Sequence, residues 1–297
     1  MARWLGFDPA TPPAVRGRVA LVLGFAVLGI SSSAVLVRGM AADPLAIAAW
    51  RTLATAVLLL PWARAGLPHL TRRDALSIAL AGAALGLHFW TWFASLQATT
   101  VLRSTLLVCT VPGFTALLEW AVLGQRPRLQ HWLGLAVALP GLGLLAGSGG
   151  DATLAGDGLA LVAAALWAVY FLLSRDVRQR TGAGATMAGL CVVAAAVLFP
   201  VALARHTPLW GFPPGTWARI GLAVAGPQIV GHLGFVYAVR WVPASTVSML
   251  TLLEPVGASA LAAVVLAEWP GPWAALGSAV VLGGIAIATW SPGEVEG

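Results

Sequence analysis

Long apolar runs recur along the chain from residue 18 to residue 290, and short polar or proline-rich segments separate them. Each run is about 20 residues long, the length that an α-helix needs to cross the hydrocarbon core of a bilayer. The chain is 59% hydrophobic and only 9% charged, whereas soluble domains carry about 25% charged residues. Strands of a transmembrane barrel would alternate apolar and polar residues, and these runs are continuous. The sequence therefore predicts an all-α integral membrane protein.

Charges, prolines and glycines divide the apolar sequence into ten predicted transmembrane helices. They cover residues 18–38, 44–63, 74–97, 100–123, 130–147, 157–174, 186–204, 216–240, 243–267 and 271–290. An even number of helices places both termini on one side of the membrane. With the termini inside, twelve arginines fall in inside segments and four in outside segments and adjoining helix ends. By the positive-inside rule, the tails 1–17 and 291–297 are predicted to be cytoplasmic, in a multi-pass protein of a bacterial inner membrane.

The net charge of +6 comes from arginine, because the chain has no lysine. These arginines cluster in the short connections between helices, so they favour a topology signal over a nucleic-acid partner. Cys109 and Cys191 each lie alone in an apolar run, and no metal-like spacing is present. The chain has no GxSxG motif, no HExxH motif and no paired carboxylates within one helix. These patterns therefore do not predict an enzyme, a metal site or a cofactor.

The two halves of the chain resemble each other. The stretch TVPGFTALLEWAVLGQRP, which opens the segment 110–146, corresponds to LEPVGASALAAVVLAEWP, which opens 253–288, and a shift of 143 residues places Pro112 on Pro255. Just upstream, a shift of 144 places His88 on His232. Each predicted repeat, 18–148 and 157–290, has five helices, so the second enters the membrane from the opposite side. Inverted repeats are typical of secondary transporters, with a midplane site and alternating access.

Three blocks carry a family resemblance: AAWRTLATAVLLLP (48–61), LGLHFWTWFASLQATTVLRSTLLVCTVPGFTALLEWAVLGQRP (85–127) and GFVYAVRWVPASTVSMLTLLEPVGASALAAVVLAEWPGP (234–272). Over most of its length the chain resembles the EamA family of the drug/metabolite transporter superfamily. This resemblance implies a ten-helix exporter or facilitator of amino acids or related metabolites, with a cavity lined mainly by helices 1, 3, 4, 6, 8 and 9. The chain departs from the family pattern at Gln125, where an acidic residue is expected, and at Arg103, where a small residue is usual.

Glu254 lies about eleven residues inside the ninth predicted helix, or about 16 Å from its start at 1.5 Å per residue. A charged side chain near the bilayer centre costs at least ~3 kcal/mol, so it must face a cavity or a partner. A proton-coupling role, binding of a substrate amino group and a purely structural hydrogen bond all remain open for Glu254. Pro255 cannot donate to the carbonyl of Thr251, and together with Pro112 it is predicted to be a hinge.

Polar groups alternate with aromatic rings on the third and eighth predicted helices, a pattern that suits the wall of a cavity for an amphipathic metabolite. On the sixth, Trp167 could supply a stacking or cation–π surface for a substrate. Helical spacing places His88 with Trp92, Gln228 with His232, and Trp167 with Tyr170, each pair on one helix face. Hydrogen bonding between helices could also retain the histidines, and Trp167 could simply pack the core. These six residues are candidate substrate-binding residues.

Two arginines lie inside predicted helices, and a buried guanidinium can clamp a carboxylate or phosphate. Arg103 lies about one turn inside the fourth helix and is a candidate anion-attracting residue. Arg51 matches a family position, and we interpret it as structural. Both are near enough to a helix end to extend toward the interface instead.

The predicted function is secondary transport of amino acids or similar small amphipathic metabolites, with proton coupling left open. A multidrug cation exporter or a phosphorylated-metabolite exporter is the alternative, and a non-transport membrane protein is less favoured. No acidic residue occurs in 18–38, where four-helix multidrug relatives carry one, and the absence of lysine disfavours phosphorylated substrates. The expected partners are a small-molecule substrate and the lipid bilayer, for a monomer or homodimer.

Overall fold

The computed structural model describes residues 5, 7, 11–66, 70–99, 101–146, 153–266 and 271–289, and its regular elements there are all helical. The predicted C-terminal tail 291–297 lies outside these residues. The α-helices are α1 Pro13–Ser31, α2 Ser33–Arg38, α3 Pro44–Leu58, α4 Leu60–Gly66, α5 Arg72–Ala98, α6 Val101–Val108, α7 Val111–Leu123, α8 Leu129–Ala146, α9 Leu154–Arg178, α10 Ala183–Ala204, α11 Pro214–Ala223, α12 Leu233–Ala238, α13 Ala244–Met249, α14 Glu254–Leu266 and α15 Pro272–Thr289. A π-helical segment, Val224–His232, joins α11 to α12, and a 3-10 segment, Leu250–Leu253, joins α13 to α14.

Within the described residues, six helical stretches are long and apolar enough to cross a membrane. They are Pro13–Arg38, Arg72–Ala98, Arg103–Leu123, Leu154–Arg178, Ala183–Ala204 and Pro214–Ala238. A seventh span results if α3 and α4, which are bent by 64° at their junction, cross the membrane as one broken helix. The prediction of an all-α, multi-pass membrane protein is therefore confirmed.

The predicted hinge residues lie where helices are interrupted. Pro112 is the second residue of α7, which begins after a turn at Cys109 and Thr110. Pro255 is the second residue of α14, directly after the 3-10 segment. A proline lacks the N–H that would continue an α-helical ladder, so each break follows from the sequence.

The carbonyl of Thr251 is not left free, although Pro255 has no N–H to donate to it. In the 3-10 segment it accepts a hydrogen bond from the Glu254 backbone N–H, three residues on, because 3-10 geometry brings that donor closer than the α-helical one. The Cys109 sulfur lies 4.0 Å from the same carbonyl. The break before α7 and the break before α14 therefore contact each other inside the bundle.

The π-helical segment was not predicted, although its sequence, VAGPQIVGH, contains the cause. Pro227 removes one backbone donor, and the ladder resumes with the Leu233 N–H donating to the Gln228 carbonyl, five residues back. Short π-helical insertions are frequent at functional sites. Here the segment carries both Gln228 and His232.

Glycines allow the helices to approach closely. A Cβ atom added at Gly29 of α1 would lie 2.8 Å from the backbone nitrogen of Gly231 in the π-helical segment. A Cβ atom at Gly284 of α15 would lie 2.6 Å from the carbonyl oxygen of Gly134 in α8. Small residues at such crossings are the usual means by which membrane helices gain van der Waals contact.

The crossing of α8 and α15 gives a matched test of this packing. We expect Gly284→Ala to lower the unfolding free energy by about 1–3 kcal/mol, because the added methyl group must push two backbones apart. Gly283→Ala is the control, since no heavy atom lies within 4 Å of a Cβ there. Thermal unfolding of the purified variants in detergent measures the difference. Equal melting temperatures for the two variants would contradict the packing described.

Candidate functional site

A fully buried guanidinium lies at the centre of the bundle. Arg51 of α3 has 0% exposure. Its Nε donates to Gln228 Oε1 at 2.8 Å, and its Nη1 donates to Ser33 Oγ at 3.3 Å. The guanidinium carbon also lies 4.2 Å from the ring centroid of Phe89, a cation–π distance. The remaining nitrogen, Nη2, is buried and has no hydrogen-bond partner.

Glu254 provides the opposite charge. It is the first residue of α14 and is 3% exposed, and its Oε1 is buried without a hydrogen-bond partner. The carboxyl group interacts electrostatically with Arg51. The ion pairs of at most 4.0 Å within the described residues do not include this pair. Arg51 and Glu254 therefore interact electrostatically without forming a direct ion pair.

Imidazole and aromatic rings from three elements, α5, α9 and the π-helical segment, lie close to one another. The His88 ring centroid lies 4.9 Å from that of Trp167, 6.0 Å from that of Trp92 and 6.3 Å from that of His232. The His232 centroid lies 5.3 Å from that of Trp167 and 6.0 Å from that of Tyr170. His88 is held in place because its Nδ1 bonds the Ala163 carbonyl of α9 at 2.8 Å. These distances define a continuous aromatic wall formed by α5, α9 and the π-helical segment.

We call the set that surrounds these contacts the central cluster. It comprises Arg51, His88, Trp92, Trp167, Tyr170, Gln228, His232 and Glu254. Seven of its members, all except Gln228, keep a buried polar atom without a hydrogen-bond partner: Arg51 Nη2, His88 Nε2, Trp92 Nε1, Trp167 Nε1, Tyr170 OH, His232 Nδ1 and Glu254 Oε1.

Such a concentration of unsatisfied groups is costly in an interior, since each buried polar atom without a partner loses its hydration. A site that binds a polar ligand recovers this loss when the ligand is present. The residues of the central cluster are at most 3% exposed, so the site is closed to both ends of the bundle in this conformation. The cluster therefore offers buried polar and aromatic groups to a ligand that carries both polar and apolar parts.

The sequence-predicted residues are thus largely brought together. The exception is Arg103, whose guanidinium pairs with Asp157 at the start of α9, and whose side chain is 49% exposed. The Arg103 Nε also donates to Asp157 Oδ1 at 3.2 Å, and Thr99 Oγ1 donates to the same oxygen at 3.3 Å. Arg103 therefore contributes to a contact at the end of the helices rather than to the central cluster.

A second ion pair lies at the opposite end of α9. Arg175 donates from Nη1 to Glu119 Oε1 of α7 at 3.1 Å. The same carboxylate oxygen accepts the Ala244 N–H at the start of α13, also at 3.1 Å. Glu119 is 5% exposed. It ties α7, α9 and α13 together by one charged, buried acceptor.

A cavity of about 690 Å³ lies beside this contact, with Gln125, Arg175, Arg240 and Trp241 among its lining residues. The buried Trp241 Nε1 and the buried Ser174 Oγ also lack hydrogen-bond partners. Ser174 lies one helical turn beyond Tyr170 on α9. Unsatisfied polar atoms therefore follow α9 from the central cluster toward the cavity.

Sequence analysis missed the position of Arg51. The guanidinium does not extend toward the interface but points into the bundle, where Gln228, Ser33 and Phe89 surround it. Its depth of about two turns inside a helix was the available signal. The partners could not be predicted, because Gln228 is 177 residues away in sequence. Within the described residues, no group of three or more His, Cys, Asp or Glu side chains is arranged to hold a metal ion.

Comparison with known proteins identifies the class. The EamA-like transporter family matches the chain twice, over residues 18–147 and 154–290. The transporter YwfM of Bacillus subtilis (strain 168), described as uncharacterized, is 30% identical over 259 residues, which cover 84% of this chain and 86% of YwfM. A probable terminal-alkyne amino-acid exporter of Streptantibioticus cattleyicolor is 30% identical over 185 residues, covering 61% of this chain and 62% of the exporter.

A solved crystal structure shares the fold, with a TM-score of 0.74 at 20% identity, and the match covers 91% of this chain and 97% of the other. The family match and the relatives define a membrane transporter and not an enzyme. The chain belongs to the EamA-like transporter family of the drug/metabolite transporter superfamily, which confirms the resemblance seen in the sequence.

The contact at Glu119 predicts a graded loss of stability. We expect Glu119→Leu to lower the unfolding free energy by about 1–3 kcal/mol, because the buried Ala244 N–H and the Arg175 guanidinium lose their acceptor. Glu119→Gln retains an acceptor oxygen and should cost less. Thermal unfolding in detergent compares the two variants. A Gln variant as unstable as the Leu variant would show that the charge, rather than the acceptor for Ala244, holds this end together.

Proposed function

We propose that this protein is a secondary transporter, an exporter or facilitator, of amino acids or similar small amphipathic metabolites, which it binds in the central cluster. The observation that carries this proposal is the closed set of unsatisfied polar atoms among aromatic rings. Elements from both halves of the chain supply it: α3 and α5 from the first half, and α9, the π-helical segment and α14 from the second. A site shared in this way changes when the two halves move against each other.

Ten transmembrane helices in two inverted five-helix repeats, over residues 18–148 and 157–290, fit this proposal. Two observations support the layout. The family matches the chain once in each half. The contacts between the halves also correspond. The third predicted helix of the first half, α5, packs on the first of the second half, α9. In the same way the first predicted helix of the first half, α1, packs on the third of the second half, which contains the π-helical segment. The proposed location is the bacterial inner membrane, with both termini cytoplasmic, as the arginine distribution favours.

Alternating access would open one end of α9 at a time. Asp157 and Arg175, which hold the two end contacts, are ten and eight residues from Trp167, or about 15 Å and 12 Å along the helix axis. The central cluster thus lies near the middle of α9, with a charged contact toward each end. The breaks that precede Pro112 and Pro255 touch each other and are the proposed hinge points.

The amino-acid class is supported by the relative from Streptantibioticus cattleyicolor, whose name describes an amino-acid exporter. The central cluster also contains one cationic and one anionic side chain, Arg51 and Glu254. A multidrug cation would meet a buried guanidinium, and a phosphorylated metabolite would meet a buried carboxyl group. Neither alternative gains support from the charges present.

Reconstitution into liposomes tests the proposal directly. Radiolabelled L-amino acids, together with small amphipathic amines and acids, would be offered with and without an imposed pH gradient. We expect counterflow of at least one L-amino acid, and a higher melting temperature of the purified protein in its presence. Failure of every small amphipathic compound both to move and to stabilise the protein would refute the proposed function.

Replacement of Glu254 by glutamine tests the role of this carboxyl group. Uptake is expected to fall at least about tenfold, because the loss of one charged partner in a buried contact costs several kcal/mol. The response to a pH gradient should disappear as well, if Glu254 carries the coupled proton. The groups that face it include Arg51 and Cys109, which the variant leaves intact. Unchanged uptake with an unchanged pH response would assign Glu254 to structure alone.

A further inference from the structure

We propose that Arg51 and Glu254 form a two-ended site for a zwitterion. In this site Arg51 binds the α-carboxylate and Glu254 binds the α-ammonium group of a free amino acid, whose apolar or aromatic side chain lies against the aromatic wall. The inference rests on the proposed function and names the substrate class of the same site. It gives Arg51 a direct role in binding, in place of the structural role that the sequence suggested.

The hydrogen bonds of Arg51 orient one free donor group. Gln228 engages Nε and Ser33 engages Nη1, while the Phe89 ring covers the guanidinium plane. A planar guanidinium fixed at two of its nitrogens has no rotational freedom left, and its third nitrogen, Nη2, is buried and unpartnered. A positioned donor without a partner is what a carboxylate site requires.

Glu254 shows the complementary feature. Its Oε1 is buried without a hydrogen-bond partner, although its electrostatic interaction with Arg51 places an opposite charge nearby. Two opposite charges in an apolar interior gain most by pairing directly. Within the described residues, the ion pairs of at most 4.0 Å do not include Arg51 with Glu254, and Arg51 donates to Gln228 and Ser33 instead. Arg51 Nη2 and Glu254 Oε1 are thus both left for a ligand that carries both signs.

Charge complementarity then selects the ligand. A simple cation would pair with Glu254 but be repelled by Arg51. A simple anion would pair with Arg51 but be repelled by Glu254. A zwitterion satisfies both groups and brings no net charge into the bundle, so it avoids the cost of an unpaired buried charge. An α-amino acid carries its carboxylate and its ammonium group on one carbon, so a single small ligand can offer one charge to each group.

Phe89 joins the Arg51 guanidinium to the aromatic wall. Phe89, which covers Arg51, also contacts His232, with ring centroids 5.0 Å apart. His88 in turn contacts the rings of Trp167 and Trp92. Rings of this kind favour an apolar or aromatic side chain. Arg103 offers no equivalent site, because Asp157 already pairs with it.

The experiment compares one amino acid with derivatives that each lack one charge. Binding of L-phenylalanine, its methyl ester and N-acetyl-L-phenylalanine to the purified protein would be measured by competition with the best-bound radiolabelled L-amino acid of the liposome panel. In the wild type, the ester and the N-acetyl derivative should each bind at least about tenfold more weakly, since each leaves one buried charge unpaired. Equal binding of L-phenylalanine and its ester would overturn the proposal without any variant.

Two variants then assign the two ends. Arg51→Gln should reduce the preference for L-phenylalanine over its ester to less than about threefold, while the preference over the N-acetyl derivative persists. Glu254→Gln should reduce the preference for L-phenylalanine over the N-acetyl derivative, while the preference over the ester persists. Arg103→Gln is the control and should retain both preferences. If Arg51→Gln fails to fold, Arg51→Lys takes its place, because it keeps the charge but cannot reach Gln228, Ser33 and a carboxylate together; its preference over the ester should then shrink as well.

Wild-type preferences in a folded Arg51 variant would overturn the assignment of the carboxylate to Arg51. Transport of amphipathic amines or acids without any transport of free amino acids would overturn the zwitterion site and leave the transporter itself established. Only the failure of every compound in the liposome panel would count against the proposed function. The two hypotheses are therefore tested by different results of the same series.

Discussion

The burial of one guanidinium among membrane helices imposes the main constraint on this structure. A charged side chain in an apolar bundle is tolerated only if protein groups replace its hydration. Arg51 obtains this replacement from Gln228, Ser33 and the face of Phe89, which belong to three different elements. The π-helical segment, α2 and α5 must therefore all meet around α3, and this meeting creates the central cluster.

Close packing and helix interruption make that meeting geometrically feasible. Gly29 and Gly231 let α1 approach the π-helical segment to backbone contact. Pro227 lies within that segment, while Pro112 and Pro255 fix where α7 and α14 begin. The same residues that weaken individual helices thus let polar side chains converge. Stability of the bundle comes from contact between helices, as expected where lipid offers no hydrophobic drive for association.

Helix α9 connects the central cluster with both ends of the bundle. Trp167 and Tyr170 lie in its middle, Asp157 pairs with Arg103 near its start, and Arg175 pairs with Glu119 near its end. Each end contact joins α9 to a helix of the first half of the chain. Because α9 makes both contacts, a reorientation of α9 would change both of them. The unsatisfied Ser174 hydroxyl extends the polar path toward one of them.

The class of fold could be predicted from the apolar runs alone, because runs of membrane length leave the backbone no alternative to helices. The sequence also singled out Glu254, His88 and His232, since polar residues deep in such runs need a reason to be there. That Arg51 joins them, and that Arg103 pairs with Asp157 instead, depends on how the helices pack and could not be predicted. Spacing along the chain fixes which residues share a face of one helix. The rotation and depth of neighbouring helices depend on glycine contacts and proline breaks distant in sequence, and these decide which faces meet.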